Sequence, residues 1–230
     1  MKLIVFSDIH GNYVAFLKAL KMMRKESPDI YLFCGDICGY YYQQNEIIEE
    51  LSEFNNLISV MGNHDQLFLD CYTDRRLLVD YTQKYGRSFE ILIDNITDQS
   101  LSFLRESSLF WESEDGFSAA FHGSPSLYLN GYVYPDTPLD DFKNINFRYV
   151  FLGHTHYPMD RVSGMTRFIN PGSIGQPRDY NEGSFAVVDL RRDHIEIIRF
   201  EYDTASVINQ VKAFKEKNPY LEQVLLRSRV

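Results

Sequence analysis

A chain of 230 residues with 44% hydrophobic and 15% aromatic residues is long enough to bury one sizeable core rich in rings. Its formal net charge of -9 argues against duplex nucleic acid as a standing partner, because backbone binding rests on Lys and Arg. It does not exclude a small phosphorylated substrate, since bound metal ions can supply positive charge locally.

The first apolar run, residues 3–6, reads as a buried strand and is too short for the core of a secretory signal. No apolar run approaches the ~20 residues of a membrane span. Cys34, Cys38 and Cys71 show no disulfide framework, which fits a cytoplasmic protein with reduced thiols. The strand ends in Ser7-Asp8-Ile9-His10-Gly11-Asn12. A helix follows, with Phe16, Leu17, Leu20 and Met23 on one side and Lys18, Lys21, Arg24 and Lys25 on the other. Residues 30–33 make the next strand, which ends in Gly35-Asp36. This strand-helix-strand unit marks an α/β fold with helices packed on a sheet. A second helix is expected over 45–54, and a strand over 57–61 that ends in Gly62-Asn63-His64-Asp65.

From 66 to 106 the pattern is helical, broken at Gly86 and at Asp94-Asn95, with Thr97 as an N-cap. Leu67, Leu77, Leu78, Phe89, Ile91, Leu92, Leu101 and Leu104 are its expected buried positions. Residues 117–121 form a strand ending in His122-Gly123. The stretch 125–147 is a long loop near the site, or a hairpin about Asn130-Gly131. Residues 149–152 form a strand covered on both faces, ending in Gly153-His154-Thr155-His156. If the chain stays extended there, the two imidazoles point the same way. Residues 185–188 and 195–200 flank Arg191-Arg192-Asp193 as an edge hairpin, with His194 exposed in its turn. A last helix carries Val207, Ile208, Val211 and Phe214 on one face. With no repeat or linker, residues 1–230 read as a single domain.

Five strands therefore end in Asp, Asn or His, and five of the six histidines sit at such ends. Singly, each is ordinary: Gly-Asp and Gly-Asn are turn chemistry, and a lone His122 reads as a hydrogen-bonded core residue. Jointly they gather at one edge of a sheet, where ligands of α/β folds bind. Asp8, His10, Asp36, Asn63, His122, His154 and His156 give seven candidate ligands, too many for one structural zinc. Two ions sharing a carboxylate would account for them, and mixed imidazole and carboxylate suits manganese, iron, zinc or nickel.

Asp8-Ile9-His10, Gly35-Asp36, Gly62-Asn63-His64-Asp65, His122-Gly123 and Gly153-His154-Thr155-His156 together resemble the calcineurin-like metallophosphoesterases. The turn 170–178 resembles that of their small bacterial and archaeal phosphodiesterase-like branch. The resemblance implies a four-layer α/β/β/α sandwich of two mixed sheets. It implies one divalent transition-metal ion held by Asp8, His10, Asp36 and His156, and a second held by Asp36, Asn63, His122 and His154. A metal-bridging water would attack phosphorus in line, with His64 assisting at the phosphoryl or leaving oxygen and Asp65 orienting its ring. Arg178, after a glycine-rich turn with free N–H groups, would contact substrate phosphate together with Asn63 and His64, or else pair with Asp179. The expected partner is a small phosphoester or nucleotide, with no membrane, and a homo-oligomer is compatible with the chain.

One departure narrows the activity. Gly35-Asp36 is followed by Ile37-Cys38-Gly39-Tyr40, where protein serine/threonine phosphatases of the superfamily carry an Asp-Arg-Gly. A diester or nucleotide-type substrate is thereby favoured over a phosphoprotein or simple monoester. A non-catalytic scaffold is disfavoured because all seven ligands and His64 are present. A nuclease is disfavoured by the acidic charge. Tyr40, Tyr41, Tyr42, Tyr128, Tyr132 and Tyr134 either pack or line a cleft that stacks on an aryl group.

Overall fold

The computed structural model describes residues 1–227. Strand β1 (Lys2–Phe6) buries Leu3, Ile4, Val5 and Phe6, so neither of its faces meets solvent. Asn12 caps helix α1 (Tyr13–Met23) by accepting the Ala15 N–H at 3.1 Å. Strand β2 (Ile30–Phe33), helix α2 (Gln44–Ser52) and strand β3 (Leu57–Ser59) follow as the apolar pattern predicts. The helical stretch divides into α3 (Asn63–Thr73), α4 (Leu77–Tyr85), α5 (Ser88–Asn95) and α6 (Asp98–Glu106). Thr97 caps α6 through the Ser100 N–H, as expected.

Three details of this helical half differ from the sequence reading. Helix α3 begins at Asn63 rather than at 66, because the Asp65 carboxylate accepts the Gly62 N–H at 3.0 Å and closes its first turn. A further break falls at Asp74, where the Asp74 carboxylate accepts the Arg76 N–H at 3.0 Å in a turn without Gly or Pro. Leu77 is 43% exposed at the start of α4 rather than buried.

The second half of the chain supplies β4 (Phe110–Glu112), β5 (Ser118–Phe121), β6 (Tyr149–Phe151), β7 (Pro158–Ser163), β8 (Thr166–Pro171), β9 (Gly183–Asp189) and β10 (His194–Phe200). Helices α7 (Thr204–Ala213) and α8 (Tyr220–Gln223) follow. Strands β4 and β7 have no counterpart in the apolar pattern, since both are edge strands that leave Phe110 and Val162 to solvent. No hairpin forms at Asn130-Gly131; the Gly131 N–H returns to the Leu127 carbonyl at 2.9 Å within a long loop.

One sheet has the order β10-β9-β1-β2-β3 and the other β4-β5-β6-β8-β7. Strands β1, β2 and β3 are parallel, with the β9–β10 hairpin antiparallel at the edge. In the second sheet β5, β6 and β8 are parallel, with β4 and β7 as antiparallel edges. Between the sheets Leu3, Val5 and Leu32 meet Ala120, Phe151 and Ile169. Ile4, Phe6 and Phe33 face outward under Phe16, Ile47 and Phe68 of α1, α2 and α3. The outer layer on the second sheet is thin: Val133 and Leu139 of the long loop cover Phe121, Val150 and Phe168. Among the described residues no helix is long and apolar enough to cross a membrane.

Candidate metal centre

The carboxyl ends of β1, β2, β5 and β6 deliver Asp8, Asp36, His122 and His154 to one place. Hydrogen bonds lock the loops after β1 and β2 together: Asp8 N–H donates to the Gly35 carbonyl, and Ile9 and His10 N–H donate to that of Asp36. Five candidate ligands take left-handed backbone: Asp8 (φ 55), His10 (φ 52), Asp36 (φ 67), His154 (φ 66) and His156 (φ 62). Each such residue costs roughly 1–2 kcal/mol, which the surrounding bonds must offset. The extended backbone expected at His154 and His156 is therefore replaced by two left-handed turns. They separate the two imidazoles instead of aligning them.

The side chains form two buried clusters, Asp8 with His10 and His156, and Asp36 with His122 and His154, each with ligand atoms within 4.8 Å of one another. Backbone carbonyls orient the rings. His10 Nδ1–H donates to Cys38 O at 2.8 Å, His122 Nδ1–H to Cys34 O at 2.7 Å and His156 Nδ1–H to Gln176 O at 2.5 Å. These acceptors hold a proton at Nδ1 and turn Nε2 inward, where it is a lone pair whenever the ring is neutral. The Nε2 atoms of His10 and His156 lie 3.2 Å apart. Asp8 Oδ1 is 3.6 Å from the first and 3.2 Å from the second. Asp36 Oδ2 is 3.6 Å from His10 Nε2 and 3.3 Å from His122 Nε2, so one oxygen faces both clusters. Asn63 Oδ1 lies 3.0 Å from His122 Nε2 and joins the second cluster.

Asp8 Oδ1, Asp36 Oδ2 and His154 Nε2 are buried without a hydrogen-bond donor. An orphaned buried acceptor costs about 1–3 kcal/mol, and more when charged. Converging lone pairs of nitrogen and carboxylate oxygen are what a borderline divalent cation relieves. The residues thus fit metal binding.

The charges inside the clusters are strongly mutual. Burial pulls His122 down, but the Asp36 carboxylate outweighs it and holds the ring at about 9. Burial pushes His154 down to about 3, helped by the positive His122. Burial, and then the Arg178 guanidinium, push His156 down to about 4. Asp8 and Asp36 resist burial and stay well below the usual carboxylate range, held there chiefly by His156 and His122 respectively.

His64 sits in the first turn of α3, and its N–H donates to Asp36 Oδ1 at 2.8 Å. Its ring centre is 5.1 Å from that of His10, 5.0 Å from Tyr40 and 4.9 Å from Tyr85. Burial pushes it down to about 3. The orienting partner is Tyr81, whose hydroxyl is 3.5 Å from Nδ1. Asp65, expected from the sequence to orient this ring, is occupied elsewhere. The Asp65 carboxylate is committed to the N–H groups of Asp36, Ile37, Cys38 and Gly62 at 2.8–3.0 Å. It fastens α3 to the loop that carries Asp36.

Arg178 lies beside the first cluster. Its Nη2 lies 3.5 Å from the Tyr40 hydroxyl, and among the described residues its buried Nε has no acceptor. It does not pair with Asp179, which binds Arg199 instead. Four N–H groups of the turn before it are already taken within the protein. Those of Ile174 and Gly175 donate to Ser7 and Asp8 carbonyls, and those of Gly172 and Gln176 to the Asn170 and Ser173 side chains. The tyrosines divide in role. Tyr40, Tyr41 and Tyr42 are buried, and the last two pack away from the ligands. Tyr132 lies tilted against His154, ring centres 4.1 Å apart, and Tyr134 stacks parallel to Tyr132 at 5.6 Å. Tyr81 and Tyr85 escape motif reading; their only signal is a spacing of one helical turn in α4.

The family model of the calcineurin-like phosphoesterase superfamily domain matches residues 1–193. The chain belongs to this superfamily. An uncharacterised protein of Methanocaldococcus jannaschii is 32% identical over 90% of this chain and 90% of its own. A metallophosphoesterase from Sphaerobacter thermophilus superposes with a TM-score of 0.80 at 23% identity, over 99% of this chain and 98% of its own. A hypothetical protein from Pyrococcus horikoshii superposes at 0.84 with 21% identity, over 100% and 99% of the two chains. The chain shares its fold of two mixed sheets flanked by helices with these two structures.

Proposed function

We propose that the chain is a phosphoesterase that works with two divalent transition-metal ions and cleaves a phosphodiester or nucleotide-type ester. The observation that carries this reading is Asp36 Oδ2, buried, without a donor, and facing both clusters. Asp8, His10, Asp36 and His156 would hold one ion, and Asp36, Asn63, His122 and His154 the other. When bound, such ions polarise phosphoryl oxygens and lower the pKa of water. The protein's own groups do the rest. With Tyr81 at Nδ1, the neutral His64 ring keeps Nε2–H to donate to a phosphoryl or leaving oxygen. Arg178, with its unpartnered Nε, is placed to hold a phosphoryl oxygen. Ile37 and Cys38 follow Asp36 and bring no second guanidinium, so the site suits the single charge of a diester better than the double charge of a monoester.

The test is turnover of bis(4-nitrophenyl) phosphate by protein stripped of metal and then reloaded with manganese. We expect activity only after loading, and a fall of about 10³-fold for Asp36→Asn, the loss of several kcal/mol of transition-state stabilisation. Equal turnover by the stripped protein, or by the variant, would refute the assignment.

A further inference from the structure

A cleft of about 880 Å³ lies between α4 and the segment that joins α7 to α8. Lys84, Arg87, Lys215 and Lys217 line it, against the carboxylates of Glu90 and Glu216. Both carboxylates are committed. Glu90 binds Arg87 at 2.9 Å, and Glu216 accepts the N–H groups of Arg87, Lys217 and Asn218 at 2.7–3.1 Å. Among the described residues none of the three lysines forms an ion pair with a carboxylate. Four cations against two carboxylates leave this concave place with an excess of two positive charges in a chain of net charge -9. Lys215 also holds a left-handed backbone (φ 52) just after α7, a position that ordinarily favours glycine.

The cleft adjoins the metal centre through Lys84. Its ammonium lies 4.8 Å from the centre of the Tyr85 ring, and that ring is 4.9 Å from His64. On the other side of the centre the Tyr132 ring lies tilted against His154, ring centres 4.1 Å apart. Lys84 therefore stands on the rim of the centre and on the wall of the cleft at once.

We propose that this cleft is an anion subsite that takes the distal phosphate groups of a phosphoester whose scissile phosphorus lies at the metal centre. The substrate class is then a nucleoside polyphosphate ester or another ester with a second phosphoryl group joined to the reacting one. This rests on the hydrolase reading. Lys84 is a specificity residue here, bridging the two anionic ends of one substrate, while Lys215 and Lys217 hold the far end.

Two measurements on the full chain decide it. In the first, inorganic tripolyphosphate is titrated calorimetrically into metal-free protein and into the Lys215→Glu/Lys217→Glu double variant, with the fold checked by circular dichroism. Binding to the wild type should weaken with salt, and the variant should bind about tenfold less tightly, about a factor of three for each reversed charge. No binding by the wild type, or equal binding by the variant, overturns the subsite. In the second, metal-loaded proteins turn over bis(4-nitrophenyl) phosphate and a 4-nitrophenyl ester of a nucleoside triphosphate. The variant should raise KM for the triphosphate ester about tenfold relative to that for the simple diester. Loss of tripolyphosphate binding with an unchanged KM ratio would mean a site for free phosphates and would overturn the substrate assignment. If the loaded wild type turns over neither ester, the hydrolase reading fails and takes the substrate assignment with it, while the calorimetry still decides whether an anion site exists.

Discussion

Gly62 shows how tightly single residues are fitted at the centre. Its φ is -91, so any residue could adopt its backbone. A Cβ there, however, would lie 2.0 Å from Asp36 Oδ1 and 2.2 Å from Asp36 N. The glycine is required by space. Gly62→Ala must push away the carboxylate that faces both clusters, at a cost of about 1–3 kcal/mol for overpacking. We expect a lower melting temperature and a loss of bound metal, measured by elemental analysis of the loaded protein. Gly116→Ala is the control: its φ of 67 makes it strained, but its Cβ would meet only Glu112 at 3.7 Å. It should lower stability and leave metal content unchanged. Full metal loading of Gly62→Ala would show that Asp36 does not need its present place.

At the scale of elements, the centre depends on how α3 is fastened to the loop after β2. Asp65 makes that joint by accepting four backbone N–H groups. In Asp65→Asn an amide nitrogen replaces one oxygen and meets N–H groups head-on. Losing two such charge-assisted bonds costs about 3–6 kcal/mol, or roughly 10 °C or more in a chain of this size. His64→Ala should lose turnover while keeping most of the thermal stability and the bound metal. Melting curves and metal content of the two variants separate a joint from a ring-orienting role; equal small effects on stability would restore the latter. This joint was not legible in the sequence, because backbone N–H acceptors leave no residue pattern. The ligand-bearing strand ends were legible, since continuous apolar runs stop abruptly at Asp8, Asp36, His122 and His154. Strands β4 and β7 were not, because an edge strand that exposes Phe110 or Val162 has no apolar alternation to read. The left-handed turns at His154 and His156 were hidden for another reason: the sequence announces only one glycine, Gly153, in front of them.

Over the whole molecule, the buried imidazoles set how the metal-free protein responds to pH. His64, His154 and His156 have folded values of about 3, 3 and 4, below the ordinary 6.5. Below pH 6.5 the unfolded chain therefore takes up protons at these rings before the folded one does, and stability falls as pH falls. His122 runs the other way. Its folded value of about 9 makes its contribution complete below pH 6.5 and lost as pH rises towards 9. Three rings act on the acid side and one on the alkaline side. At about 1.4 kcal/mol per proton and pH unit, the acid limb can reach a slope three times that of the alkaline limb. We expect metal-free protein to melt highest near pH 6.5, with a steep fall towards pH 5 and a shallow one towards pH 9, followed by scanning fluorimetry in chelator. Metal ions bind the folded state through the same lone pairs. Loading should raise the melting temperature least near pH 5 and progressively more towards pH 9, where His122 too gives up its competing proton. A metal-free protein that grows more stable from pH 6.5 to pH 5 would show that these rings are not held neutral by burial. The lone-pair geometry on which the metal assignment rests would then fall with it.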